Sequence, residues 1–152
     1  IAVVWSNVKK GRPIEIGRAT HVFGKHARFV CDVHAAIDVP CVEMSDVDAL
    51  DRELVAKYAF ILAVNALGLE NPRTVGEWLD AEPARVDDIV NAFVALGERR
   101  IAHATPGAAE IAHENMRALR AMPAAGRTAA ERVERAHALA TSLGGSLPLR
   151  RI

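Results

Sequence analysis

Leu54-Val55-Ala56-Lys57-Tyr58-Ala59-Phe60-Ile61-Leu62-Ala63-Val64-Asn65-Ala66-Leu67 is an almost wholly apolar run with the look of a helix. It carries one lysine, Lys57, and, eight residues on, one asparagine, Asn65. Eight residues is slightly more than two helical turns, so the two side chains lie close to one stripe. A polar stripe buried in an apolar helix is costly unless something hydrogen-bonds to it. Two readings follow. In the first, Lys57 snorkels from a helix edge and Asn65 satisfies a nearby backbone group. In the second, Lys57 sits in a cleft whose apolar surroundings lower its pKa, so that it can donate or accept a proton near neutral pH. Asn65 then hydrogen-bonds the same ligand, as both donor and acceptor.

Downstream of this run the pattern predicts further helices. The central one extends from about Asp51 to Leu69, is capped by Ser45 or Asp46, and stops before Asn71-Pro72. Thr74, with Glu77 three residues later, forms a capping box for a short helix. Glu82-Pro83 opens the next, with Val86, Ile89, Val90, Phe93, Val94 and Leu96 on its core face and Gly97 interrupting it. Pro106-Gly107 opens a helix from Ala108 to Met122, broken by Pro123 and Gly126. The last spans Thr128 to Leu143 and is ended by Gly144-Gly145. An extended tail, Ser146 to Ile152, follows.

Upstream the pattern predicts short strands. Ile1 to Trp5 is a continuous apolar run, Gly11-Arg12-Pro13 a turn, and Ile14-Glu15-Ile16 and Thr20-His21-Val22-Phe23 alternate. Together they predict an antiparallel meander. So few short strands need a larger sheet or another chain to be stable. Phe29, Val30, Val33 and Ala36 then recur with helical spacing and predict a helix from about His26 to Ile37. Val39 to Met44 is extended, so Phe23 to Met44 forms a βαβ-like unit. The expected class is mainly α, preceded by a few short β-strands: residues 1–24 as strands, residues 25–152 as a helical domain. The chain starts at Ile1, without an initiator Met and directly in a strand-like run, which suggests a piece of something longer.

Bulk composition narrows the function. At 152 residues and 51% hydrophobic, the chain suits one domain with a real core. Lys+Arg and Asp+Glu balance at 19 each, which argues against a nucleic-acid or anionic-membrane binder. The two cysteines, Cys31 and Cys41, form no CxxC pair and fit the reducing environment of a cytoplasmic protein. No apolar run approaches the ~20 residues of a membrane span, and no signal peptide is visible. The sequence has no GxGxxG, no GxxxxGK[ST], no GxSxG elbow and no HExxH. No metal site is expected from the six histidines.

The residues that remain carry a resemblance. Lys57, then Asn65, then Arg73-Thr74-Val75-Gly76-Glu77-Trp78-Leu79 resemble the C-terminal domain of the ketopantoate reductase (2-dehydropantoate 2-reductase) family. That family has a lysine, an asparagine eight residues later, and a similar segment at the same offset. Ile14-Glu15-Ile16-Gly17, Ile37-Asp38-Val39-Pro40-Cys41, Gly126-Arg127-Thr128 and Leu143-Gly144-Gly145-Ser146-Leu147-Pro148 are also similar to family segments. The resemblance implies a helical domain of the 6-phosphogluconate dehydrogenase C-terminal type, used for substrate binding and dimerisation. Residues 1–24 would complete the sheet of an N-terminal Rossmann domain, and that absent domain would bind most of the NADPH. It implies a small 2-oxo acid as substrate, Lys57 as general acid, Asn65 as the orienting amide, and a homodimer in the cytoplasm. Asn115, before Met116, stands where the family has a substrate-holding serine, and Glu131 stands near the position of a family acid. A second family asparagine is Ile61 here, and a family tryptophan is Val55. These departures favour a rival reading of the same fold: a catalytically inactive dimerisation or interaction module.

Overall fold

The computed structural model describes residues 1–7, 11, 13–125 and 128–149. The Arg12 part of the first turn, the Gly126-Arg127 segment and the tail from Arg150 lie outside the described residues.

Among the described residues the elements follow in the order β1 (Ala2–Val3), β2 (Ser6–Asn7), β3 (Glu15–Ile16), β4 (Thr20–Val22), α1 (Ala27–Ala35), β5 (Cys41–Glu43), α2 (Val47–Glu70), α3 (Val75–Ala81), α4 (Pro83–Ile101), α5 (Ala108–Ala118) and α6 (Ala129–Ser142). The protein is mainly helical. The run Leu54 to Leu67 is the middle of α2, which α4, α5 and α6 surround. Such an encircled helix must be apolar on all sides. Val55, Ala56, Ala59, Phe60, Leu62, Ala63, Val64, Ala66 and Leu67 are all buried. Asp46 begins α2 by accepting a hydrogen bond from the Ala49 amide at 2.7 Å.

Glycines set how closely the neighbours approach α2. The backbone at Ala124-Ala125 crosses directly over Gly68, where a methyl group would fall on the Ala124 carbonyl. Gly97 does not interrupt α4, contrary to its sequence reading. It lies within the helix, and a Cβ there would sit 3.0 Å from Val55 Cγ1. Glycine here serves close packing rather than chain termination.

The expected capping box is present: the Glu77 amide donates to Thr74 Oγ1 at 3.2 Å, and the Thr74 amide donates to Glu77 Oε2 at 2.7 Å. α5 stops at Ala118, short of the expected Met122. The residues beyond it are used elsewhere: the Val75 amide donates to the Met122 carbonyl at 2.9 Å, and the Gly76 amide to the Arg120 carbonyl at 2.8 Å. α6 ends as a Schellman motif, in which Gly144 and Gly145 donate to the Thr141 and Ala140 carbonyls.

The strands depart from a simple meander. Ile1 to Trp5 is not one strand. β1 pairs antiparallel with β4, and the chain then crosses at Val4-Trp5 into a separate pair, β2 with β3. β5 adds to β4 in parallel, giving the order β1-β4-β5, because α1 carries the chain back across the unit. This parallel pair bridges the residue 24 boundary. The apolar positions of α1 are also not a core face: Phe29 is 68% and Val33 47% exposed.

Candidate functional site

The Val4-Trp5 crossing lies against α2, and several buried or half-buried polar residues, Glu53, Lys57 and Asn115 among them, gather near it. Lys57 is half-buried, and its Nζ donates to the Val4 carbonyl. The same ammonium stands 5.9 Å from the centroid of the Trp5 ring. Burial pushes its pKa below the ordinary lysine value, because a desolvated ammonium is costly. An ammonium has three donors, and the Val4 carbonyl uses one.

Glu53 lies one turn before Lys57 on α2 and is 5% exposed. Its carboxylate accepts from Trp5 Nε1 at 2.9 Å and from Arg18 at 3.1 Å, and His21 Nδ1 lies 3.5 Å away. Arg18 also donates to Glu114 on α5 at 2.5 Å. A buried carboxylate needs such partners. Neither Trp5, Arg18 nor Glu53 was singled out from the sequence. The signal that could have found Glu53 was its spacing: a second charged residue four positions before Lys57, in the same apolar helix.

Asn115 is next to Glu114 and is fully buried. Its Oδ1 has no hydrogen-bond donor among the described residues. It packs on Gly17, where a methyl group would overlap that oxygen. The Gly17 amide in turn donates to the Trp5 carbonyl at 3.0 Å. Lys57 and Asn115 are therefore brought to the same strand crossing, Lys57 through Val4 and Asn115 through Gly17. Thr20 Oγ1, also buried, has no partner among the described residues.

Asn65 is buried further along α2, and its Nδ2 donates to the Ile61 carbonyl at 2.6 Å. For this residue the backbone-satisfying reading describes the geometry. Glu131 is exposed on α6 and ion-paired to Arg135. It faces solvent rather than the strand crossing, so it is not part of this site.

Among the described residues, no group of three or more His, Cys, Asp and Glu side chains could hold a metal ion. No described helix is long and apolar enough to cross a membrane. The chain matches no family model, no curated protein and no solved structure.

Proposed function

We propose that this chain is the substrate-binding domain of a ketopantoate-reductase-like, NADPH-dependent oxidoreductase, with a 6-phosphogluconate dehydrogenase C-terminal-type fold. Its substrate is a small 2-oxo acid, and its general acid is Lys57. One observation carries this reading: a desolvated ammonium oriented by a main-chain carbonyl, with two donors unengaged among the described residues.

Reduction of a 2-oxo acid turns the carbonyl oxygen into an alkoxide. A lysine whose pKa is lowered by burial gives up its proton more readily than a solvated one. Before the transfer, its charge stabilises the developing negative oxygen. The Val4 carbonyl holds Nζ in one place, which removes part of the entropic cost of alignment. Asn115 contributes an unmatched acceptor, which suits a hydroxyl elsewhere on the substrate.

NADPH supplies the hydride when bound. The described residues do not fit a dinucleotide: the turn between β4 and α1 has a single glycine, Gly24, and no side chain caps α1. The cofactor then belongs to a preceding Rossmann domain, whose sheet the strands of residues 1–24 would extend, and this chain handles only substrate and proton. Two free thiols suit a cytoplasmic setting.

The test is Lys57→Ala in the natural full-length protein, assayed for NADPH-dependent reduction of a panel of 2-oxo acids. Loss of a positioned general acid lowers kcat by about 10²–10⁴-fold. Unchanged turnover removes Lys57 from the chemistry.

A second reading is favoured by α1. Phe29 and Val33 stand one turn apart on α1, Ile37 follows just beyond its C-cap, and all three are exposed. Such a stripe suits a protein interface, as in a homodimer that has lost catalysis. Sedimentation velocity of the chain and of Phe29→Glu tests it: a dimer that the substitution dissociates, together with no NADPH affinity of the full-length protein, favours the module over the enzyme.

A further inference from the structure

α2, α4 and α6 leave an open groove of about 510 Å³ between them. Its floor is apolar, made by Ile61 and Leu62 of α2 and Ala136 and Leu139 of α6. Three guanidinium groups rim it: Arg100 from the last turn of α4, and Arg132 and Arg135 from α6. No carboxylate among the described residues lines it. Arg135 is paired with Glu131, one turn earlier on its own helix. Arg100 and Arg132 have no carboxylate partner among the described residues. Tyr58 completes the wall.

Isolated surface arginines are ordinary, with stems on apolar atoms and heads in water. This arrangement differs in that two helices aim like charges at one concavity. The chain as a whole has zero net charge, so the concentration is local. Clustered like charges repel unless an anion lies between them. The apolar floor adds a second requirement, because hydrocarbon gains by covering it.

We propose that this groove binds a small amphipathic anion, an apolar body with a carboxylate or phosphate head held by Arg100 and Arg132. Guanidinium forks match both heads in bidentate geometry. The volume falls within the roughly 300–1,000 Å³ of small-molecule sites. Lys57, Asn65 and Asn115 do not line the groove, so the site stands whether or not the chain serves a reductase.

The experiment is calorimetric titration of the chain with decanoate, decyl phosphate, decanol and inorganic phosphate. Decanoate and decyl phosphate bind saturably at one site, and the tighter of them identifies the head group. Decanol and inorganic phosphate each bind at least about tenfold more weakly, since each lacks one of the two matched features. Arg100→Ala and Arg132→Ala each weaken the anion by about tenfold, while Arg117→Ala, an exposed arginine outside the groove, leaves it unchanged. Circular dichroism verifies that each variant is folded. Equal affinity for decanol and decanoate, equal loss in all three variants, or no saturable anion binding overturns the proposal.

Discussion

Trp5 Nε1 donates to Glu53 Oε2 at 2.9 Å, while the face of the same ring stands 5.9 Å from Lys57 Nζ. Glu53 and Lys57 are one helical turn apart on α2, so a single indole spans both. With Nζ on the Val4 carbonyl, the strand crossing is pinned to α2 at two points. Glu53 thus holds the ring that faces the ammonium.

Glu53→Leu removes the carboxylate and leaves Arg18 and the Trp5 N–H without that partner. Breaking a buried pair in this way costs about 3–5 kcal/mol. Trp5→Phe deletes one donor and costs about 1–3 kcal/mol. Because both act on one hydrogen bond, the double variant loses less than the sum. Denaturant midpoints measure all three, and strict additivity would contradict the coupling.

Gly68→Ala and Gly97→Ala should differ sharply, although both glycines lie in helices. At Gly68 the new methyl meets the main chain at Ala124, which cannot move without shifting the segment that follows α5. This overpacking costs about 3 kcal/mol or more. At Gly97 the methyl meets the short Val55 side chain at 3.0 Å, and the gain in helix propensity offsets part of the strain. The net change is within about 1 kcal/mol. Thermal unfolding of the two variants distinguishes them.

Lys57 makes stability depend on alkaline pH. Its folded pKa lies below the unfolded value of 10.5, so between the two the unfolded chain binds more protons. Stability therefore carries a desolvation penalty while the ammonium is charged in both states, and that penalty is relieved as pH rises through this window. Lys57→Met lacks this contribution. The difference in unfolding free energy between the native chain and Lys57→Met, followed upward in pH toward 10.5, should shift in favour of the native chain. A flat difference contradicts the lowered pKa.

Burial, reinforced by a hydrogen bond with the Cys31 thiol, pushes the Cys41 thiol up to about 12. The thiolate is the nucleophile, so Cys41 stays protonated and inert at mildly alkaline pH. Iodoacetamide labelling followed by mass spectrometry of peptides should leave Cys41 unmodified long after denatured protein reacts there.

The helices were legible because their signals are local. The Thr74/Glu77 box, the Asp46 cap and the Gly144 stop each act within one turn. What was not legible depends on distant partners. Gly97 reads as a break until Val55 is found against it, and α5 reads as longer until Arg120 and Met122 are seen bonded to α3. The Ile1 to Trp5 run reads as one strand because nothing local shows that β4 captures its first half only. At the site, Lys57 stood out as a lone charge in an apolar helix. Asn115 was reached only through resemblance, and the Trp5–Glu53 bond, between residues 48 apart, leaves no trace in spacing. Glu131 was misplaced because sequence gives its distance from Thr128 but not the helix face it occupies.

The most direct test of the central claim is the pH profile of 2-oxo acid turnover in the full-length protein, beside that of Lys57→Ala. A general acid must be protonated, so kcat should fall on the alkaline side, with a midpoint below the 10.5 of a free lysine. Lys57→Ala should lose that limb together with about 10²–10⁴-fold in rate. An identical profile and rate in the variant would contradict the assignment of the proton to Lys57.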